Sequence, residues 1–423
     1  MKPKLLVVTS TFPRWANDTD PPFVYELSRR LTDQFEITVH TPHYHGAQVN
    51  EHMAGMRVHR FRYFLSPFER LAGGQGIVPK LRRNKLYLLL LPFFLASQLC
   101  SLLLLVRREQ PDVLHAHWLI PQGVLAVVVK KLFNVPVVVT AHGADVFGLR
   151  NPLCLRLKKW VVANADEVVT VSTALARVLA DDTHSTVQPS IIPMGVDASQ
   201  FSPDKKDTAI RDRYNIQGPF LLFVGRLTEK KGVRYLIDAM VTVTTAVPEA
   251  KLLIVGHGEL EQELREQVKI RGLEKVVLFT GGIANAHLPA YYATADIFIG
   301  PSVQVKGGDT EGFGLTFVEA AMSGCLVIGT RVGGVEDIIK DGETGYLINP
   351  ENIQCLADTI AVVLKKLGSL SSLREQGRQN ALQRFDWENI ANNYKEVLSA
   401  LQTNPKLRAT SVISTNRRDI RAK

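Results

Sequence analysis

Cysteine is scarce in this chain: four residues of 423, Cys100, Cys154, Cys325 and Cys355, with no paired spacing. That scatter argues against a disulfide framework or a structural zinc site and fits a reducing compartment. The glycine fingerprints of cofactor binding are missing too. The loop after the first apolar run reads Thr9-Ser10-Thr11-Phe12-Pro13-Arg14, and Gly256-His257-Gly258 has Glu261 where a third glycine belongs. Both depart from a dinucleotide-binding turn. Neither a Walker-type loop nor a nucleophile-elbow serine occurs. No aromatic-interleaved RNA motif or zinc-finger spacing is present, so nucleic acid is not an expected partner. The apolar start, from Leu5, is too short for a signal peptide and reads as a first buried strand.

Hydrophobic residues make up 46% of the chain and charged residues 22%, the balance of a soluble globular protein. Its length exceeds one ordinary core, so two domains are expected. The formal charge of +9 is unevenly placed. Between Arg57 and Gln110 ten Lys and Arg face only Glu69 and Glu109, and Asn404 to Lys423 carries six against Asp419. Such patches suit an anionic membrane surface, and simple solubility would produce them as well.

The first half alternates short apolar runs with helical patterns. Strands are expected at Leu5–Ser10, Glu36–Pro42, Met56–Arg62, Val113–His117, Val135–His142 and Glu167–Ser172. After a polar, proline-marked connection the alternation restarts, at Phe220–Leu227, Lys251–Gly256, Val276–Thr280, Ile297–Pro301 and Leu326–Thr330. Helices between short apolar strands mean βαβ units and parallel sheets covered on both faces. The expected fold class is therefore α/β, with two facing Rossmann-like, doubly wound domains and ligands in the cleft between them. The boundaries read as 1–197 for the first domain, 198–218 for a linker and 219–384 for the second. A helix follows at 385–402, then a basic, disordered tail at 403–423.

Leu86–Val106 is twenty-one residues with only Ser97, Gln98 and Ser101 plainly polar, long enough to span a bilayer. Spanning would separate strands that belong to one sheet. The segment is instead expected to cover that sheet, either buried in the core or with an apolar face in a membrane interface.

Chemistry gathers at strand ends. Glu311-Gly312-Phe313-Gly314-Leu315-Thr316-Phe317-Val318-Glu319 reads as a loop feeding a helix N-terminus, where backbone N–H groups and the helix dipole favour an anion. Glu311 would sit at the helix mouth and Glu319 about two turns deeper. Two carboxylates cannot hold a phosphate, but they suit the hydroxyl-rich ends of a ligand whose middle is anionic. A sugar nucleotide has that layout, and a capped surface helix with two solvated glutamates has the same pattern. Arg226 just past a strand, with Lys231 at the start of the following helix, makes a site for a diphosphate without a metal. Taken alone, the pair is also an ordinary basic turn. His142, before Gly143 at a strand end, is placed to hydrogen-bond a substrate. His115 and His117 lack a third partner for a metal, so no metal site is expected and one or both belong to the core.

Together these stretches resemble the retaining family 4 glycosyltransferases of the GT-B fold, bacterial type, which build cell-surface polysaccharides or glycolipids. Glu311–Glu319 is similar to their Glu-x7-Glu motif. Gly225-Arg226-Leu227 with Lys231-Gly232 is similar to their donor-diphosphate motif, and His142-Gly143 to their active-site histidine. Gly195-Val196-Asp197 with Phe201 matches their interdomain segment, and Gly329–Ile338 the stretch after their motif helix. The resemblance implies a UDP- or GDP-sugar donor held by the second domain, with no cofactor and no metal. Arg226 and Lys231 would neutralise the diphosphate, Glu311 would bind sugar hydroxyls and Glu319 the ribose. Gly312, Phe313, Gly314 and Leu315 would line the donor site, with backbone N–H groups near Gly314-Leu315 on a phosphate. His142 would meet the sugar or its leaving phosphate. A hydroxyl of a lipid-linked or saccharide acceptor would receive the sugar with its anomeric configuration retained. The enzyme would be cytoplasmic, peripheral on the inner face of the plasma membrane. The last helix, Trp387–Leu401, would cross back onto the first domain. Two departures stand out. Asp20-Pro21-Pro22-Phe23 replaces a glycine pair often found near the diphosphate, and Met194 precedes Gly195 where Asn is common. Two other classes fit the same residues: a sugar-nucleotide epimerase or phosphorylase-like enzyme of this fold, and a noncatalytic sugar-nucleotide-binding protein.

Overall fold

A computed structural model describes residues 1–15, 18, 22–72, 77, 80, 81 and 84–403. The basic tail from 404 onward, Asp20-Pro21, and Arg82 and Arg83 of the basic stretch lie outside the described residues.

Two sheets form, one in each half of the chain. The first comprises β1 (Lys4–Val8), β2 (Glu36–Pro42), β3 (Asn50–Met53), β4 (Met56–Phe61), β5 (Val113–His117), β6 (Val137–Ala141), β7 (Glu167–Thr170) and β8 (Ser190–Ile191). Their spatial order is β3-β4-β2-β1-β5-β6-β7-β8, parallel except for the β3–β4 hairpin at one edge. The second comprises β9 (Phe220–Val224), β10 (Lys251–Val255), β11 (Val277–Gly281), β12 (Ile297–Gly300), β13 (Leu326–Thr330) and β14 (Tyr346–Ile348), in the order β11-β10-β9-β12-β13-β14. Every residue of β5, β6, β9, β12 and β13 is buried, as strands covered on both faces require.

The strand order locates the site. In each sheet the chain works outward in one direction, returns to the middle and works outward in the other. The order therefore reverses between β1 and β5 and between β9 and β12, and the crevice for a ligand opens at the carboxyl ends there. Arg226 follows β9 and Glu311 follows β12, so the reversal itself brings those loops together. In the first sheet His117 ends β5, and His142 lies just past β6, which is its neighbour.

Three short strands escaped the sequence pattern. β3 is a polar edge strand, and β8 and β14 have only two and three residues. Their pairing comes from the sheet edges they join rather than from their own periodicity.

Lys85–Leu90 is a 3-10 turn whose start is capped by the Asn84 side chain, and Leu91–Glu109 continues as an α-helix. Pro92 sits in the first turn of that helix, where its missing N–H costs nothing. The helix covers the first sheet with Phe94, Gln98, Leu102, Leu105 and Val106, all buried. Its other side is unusual. Leu86, Leu89, Phe93 and Leu104 are exposed, at 54 to 70% of their full accessible area. The segment is thus both a sheet cover and an uncovered apolar stripe.

The last helix, Trp387–Thr403, turns back from the second domain. Ile390, Ala391, Tyr394, Val397 and Leu398 bury into the core that also holds Val24 and Leu27 of helix Phe23–Arg30. The outward and return crossings touch: the Val196 N–H donates to the Phe385 carbonyl at 2.8 Å, and the Trp387 N–H to the Val196 carbonyl at 3.2 Å. A Cβ on Gly195 would lie 2.4 Å from the Trp387 indole, so only glycine lets the two strands of the connection pack this closely.

Candidate active site

After β9 the Gly225 N–H donates to the Val255 carbonyl at 3.0 Å, and Leu227 turns inward, which leaves Arg226 exposed. Among the described residues Arg226 pairs with no carboxylate. Lys231 does not begin the following helix, as the sequence suggested. It ends a 3-10 turn, Glu229–Lys231, and left-handed Gly232 separates it from helix Val233–Ala246.

Lys231 reaches across the reversal point. Its Nζ donates to Glu311 Oε2 at 2.5 Å, and the Ser302 hydroxyl lies 3.4 Å from the same oxygen. Burial alone would raise the Glu311 carboxyl; the Lys231 charge and hydrogen bond, with Lys230 and Ser302, outweigh it and leave the group below its ordinary range. Glu311 is therefore a carboxylate.

Helix Leu315–Met322 starts at left-handed Gly314. Because the turn from Glu311 to Gly314 is not helical, Glu319 lies only a little over one turn into the helix rather than two turns deeper. Its Oε2 accepts the Tyr292 hydroxyl at 2.8 Å. Burial pushes the Glu319 carboxyl up to about 7, with the Tyr292 hydrogen bond and Lys231 charge opposing. The two glutamates thus have opposite electrostatics. Phe313 is buried against Phe385, with ring centroids 5.6 Å apart, so only its backbone is open to a ligand. Nothing in the local sequence marks Tyr292 as the partner of Glu319, 27 positions away.

The first domain contributes the turn after β6. Asp145, buried, accepts from the His142 N–H at 3.1 Å and the Gly143 N–H at 3.0 Å through Oδ1, and from the Leu119 N–H at 2.8 Å through Oδ2. It fixes the turn that carries His142. The only signal in the sequence was its place three residues after the histidine. The His142 ring packs against Phe23 and Trp118, and its Nε2 lies 2.9 Å from His117 Nδ1. Burial, with the neighbouring His115, pushes the His142 imidazole down to about 3, so it can hydrogen-bond but adds no positive charge. His115 and His117 are core residues at the end of β5. Among the described residues no three His, Cys, Asp or Glu side chains converge as a metal set.

The two halves meet at glycines. A Cβ on Gly143 would lie 3.1 Å from Gly312 Cα, and one on Gly312 would lie 2.8 Å from the His142 carbonyl. Around that contact the Ser172 hydroxyl donates to the Gly312 carbonyl at 2.7 Å, and the Thr173 N–H to Asp337 Oδ2 at 2.6 Å. The turn of His142 is thereby pressed onto the turn of Glu311, which Lys231 holds from the other side. A separate charged groove of about 860 Å³, between helices Val233–Ala246 and Glu261–Ile270, contains none of these residues.

With this geometry in view, the likeness to known proteins is specific. Residues 22–200 match the family model described as Glycosyltransferase Family 4, and residues 206–382 the one described as Glycosyl transferases group 1. The GDP-mannose-dependent alpha-(1-6)-phosphatidylinositol monomannoside mannosyltransferase of Mycolicibacterium smegmatis is 29% identical over 266 residues, 62% of this chain and 70% of that protein. The N-acetyl-alpha-D-glucosaminyl L-malate synthase of Bacillus anthracis is 28% identical over 313 residues, 72% of this chain and 77% of that protein. Among solved structures, Anabaena HepE in complex with UDP superposes with a TM-score of 0.73 at 19% identity, covering 94% of this chain and all of that one. That last likeness concerns the fold.

Proposed function

Because the chain belongs to the family 4 glycosyltransferases and has their GT-B fold, we propose that it transfers a sugar, with retention, from a UDP- or GDP-sugar to a hydroxyl of a lipid-linked or polysaccharide acceptor. The observation that carries this reading is the Lys231–Glu311 pair, pressed against the turn of His142 from the other domain. A diphosphate entering beside Arg226 meets one exposed guanidinium with no carboxylate partner among the described residues, and one ammonium already oriented. Glu311, kept ionised, accepts from sugar hydroxyls. Glu319 takes the ribose, and the N–H groups at Gly314-Leu315 take a phosphate.

In the reaction the acceptor oxygen bonds to the anomeric carbon on the face from which the phosphate oxygen departs. The acceptor proton passes to that leaving oxygen. Arg226 and Lys231 stabilise the charge that builds on the diphosphate, so the step uses neither metal nor cofactor. Neutral His142 contributes a hydrogen bond to the sugar or its leaving phosphate, and no covalent nucleophile is assigned.

The site is proposed to work at the inner face of the plasma membrane, because the uncovered stripe Leu86, Leu89, Phe93 and Leu104 runs along the Lys85–Leu90 turn and the helix after it, whose last turn carries Arg107 and Arg108. An apolar stripe flanked by cations fits an anionic interface.

The test is slow donor hydrolysis across a panel of UDP- and GDP-sugars. One donor should be turned over, and Glu311→Gln and Lys231→Ala should each reduce kcat by roughly 100-fold or more with the fold intact. Near-normal turnover by both variants would refute the site. An epimerised donor in the absence of acceptor would instead favour an epimerase.

A further inference from the structure

His142 does not stand alone in the core. Its Nε2 pairs with His117 Nδ1 at 2.9 Å, and the two rings stack with centroids 5.2 Å apart. The His117 ring in turn lies 4.2 Å from that of His115. The Nε2 of His115 is 2.8 Å from the Thr140 hydroxyl, itself 3.2 Å from the hydroxyl of Tyr394 on the terminal helix. His117 is 1% exposed. Its Nε2 and the Nδ1 of His142 are both buried and find no partner among the described residues.

These facts restrict where the protons sit. Burial holds both imidazoles neutral at ordinary pH, so each ring carries one N–H, and one of the two facing nitrogens must donate. If His142 donated from Nε2, the His117 proton would sit on Nε2, an N–H sealed inside the sheet with nothing to accept it. Either arrangement leaves one buried N–H without a protein partner, so the choice turns on which of the two a ligand can complete. If His117 donates from Nδ1, its bare Nε2 is only an acceptor. The remaining N–H is then on Nδ1 of His142, also buried and without a partner among the described residues, but on a residue that is partly exposed where His117 is sealed. A phosphate oxygen can only accept, so this second arrangement is the one a phosphate completes.

We propose that His117 is a positioning residue for His142: its Nδ1–H donates to His142 Nε2, holding the ring between Phe23 and Trp118 and leaving the His142 proton on Nδ1 for the donor substrate. The inference rests on the glycosyl-transfer reading, because the donor phosphate is what completes this arrangement. With the proton on the other nitrogen, His142 would offer a lone pair to a phosphate oxygen that also has only lone pairs.

The proposal is tested by labelling the protein with 15N-histidine and reading the ring tautomers from two-bond proton–nitrogen couplings, with His142 assigned by its loss in His142→Gln. Wild type should show His142 in the Nδ1–H form and His117 also in the Nδ1–H form. His117→Leu removes the donor while filling the space, and His117→Asn retains a nitrogen near the Nδ1 position. Donor hydrolysis by His117→Leu should lose kcat by roughly 10- to 100-fold, with KM for the nucleotide sugar little changed. His117→Asn should recover much of that loss. A His142 signal in the Nε2–H form in wild type would overturn the proposal. So would unchanged kcat in folded His117→Leu, or equal losses in the Leu and Asn variants at equal melting temperature. Failure of wild type to turn over any donor, with the tautomers as expected, would instead refute the glycosyl-transfer reading and leave the proton placement standing.

Discussion

Glu311 and Glu319 are the same residue type on one short stretch, and the surroundings drive them apart. Lys231 lies against Glu311 and keeps it ionised, whereas Glu319 faces burial with a phenol as its partner and titrates near neutrality. In the proposed function Glu319 holds the ribose, whose diol donates hydrogen bonds and so prefers the ionised form. Nucleotide binding should therefore release a proton near pH 7. Calorimetric affinity for UDP or GDP should tighten as pH rises from 6 to 8, and Glu319→Gln should flatten that dependence. Stability should move the opposite way. The folded-state value lies above the unfolded one, so the buried carboxyl disfavours folding increasingly as pH rises from about 4.5 to about 7 and fully above that. Glu319→Gln should thus raise the melting temperature at pH 8, by at most about 3 kcal/mol in stability, and change it little at pH 4. Equal shifts at both pH values would contradict the assignment. At this scale the sequence was partly readable. Lys231, Glu311 and His142 sit at strand ends beside glycines, a local pattern. Tyr292 and His117 act through partners 27 and 25 positions away, and Asp145 ties its local turn to Leu119, 26 positions away, relations no local pattern encodes.

At the scale of elements, the clearest tension is in the apolar helix over Leu91–Glu109. A helix that is apolar nearly all round has no preferred face in its own pattern, which is why the sequence left two readings open. The fold resolves the direction. Polar Gln98 is fully buried, Ser101 lies 3.1 Å from His40 and 3.3 Å from His59, and leucines and a phenylalanine face outward. A helix serving only as sheet cover would place these groups the other way round. Phe64 extends the stripe, with its ring 5.4 Å from that of Phe93. Vesicles containing phosphatidylglycerol should float the protein, and high salt should weaken the interaction. Leu89→Glu with Phe93→Glu should abolish flotation and leave the melting temperature near wild type, since neither side chain fills the core. Flotation by the double variant equal to wild type would remove this stripe as the contact. Elsewhere the central strands were legible because full burial on both faces produces continuous apolar runs. β2, β5 and β13 have the expected limits, Glu36–Pro42, Val113–His117 and Leu326–Thr330. The edge strands β3, β8 and β14 were not, because an edge strand is recruited by its neighbour.

Across the whole molecule, the two halves are tied by a double crossing and by a glycine contact, and the two ties have different consequences. The crossing at Gly195-Val196 and Phe385-Trp387 is a hydrogen-bonded connection with an aromatic ring packed on a glycine. It brings the terminal helix back onto the first core and serves as the fixed side of the assembly. The contact of Gly143 with Gly312 lies at the reacting side, where backbone meets backbone. Nothing there can yield as a flexible side chain would. Gly312→Ala places its methyl 2.8 Å from the His142 carbonyl, and no left-handed backbone strain accompanies the change, so its effect isolates the approach of the two domains. The second domain holds Arg226, Lys231 and Glu319 by itself, and nucleotide affinity should stay close to wild type. In the proposed reaction, turnover needs the His142 turn pressed onto the Glu311 turn. A displacement of about 1 Å at reacting groups costs up to roughly 100-fold. The variant should therefore bind UDP or GDP normally by calorimetry while its kcat for donor hydrolysis falls at least about tenfold. Loss of nucleotide binding with kcat preserved would place the role of this contact in the second domain alone. The glycine pair would then be a local turn feature rather than the seam through which one half of the molecule completes the site of the other.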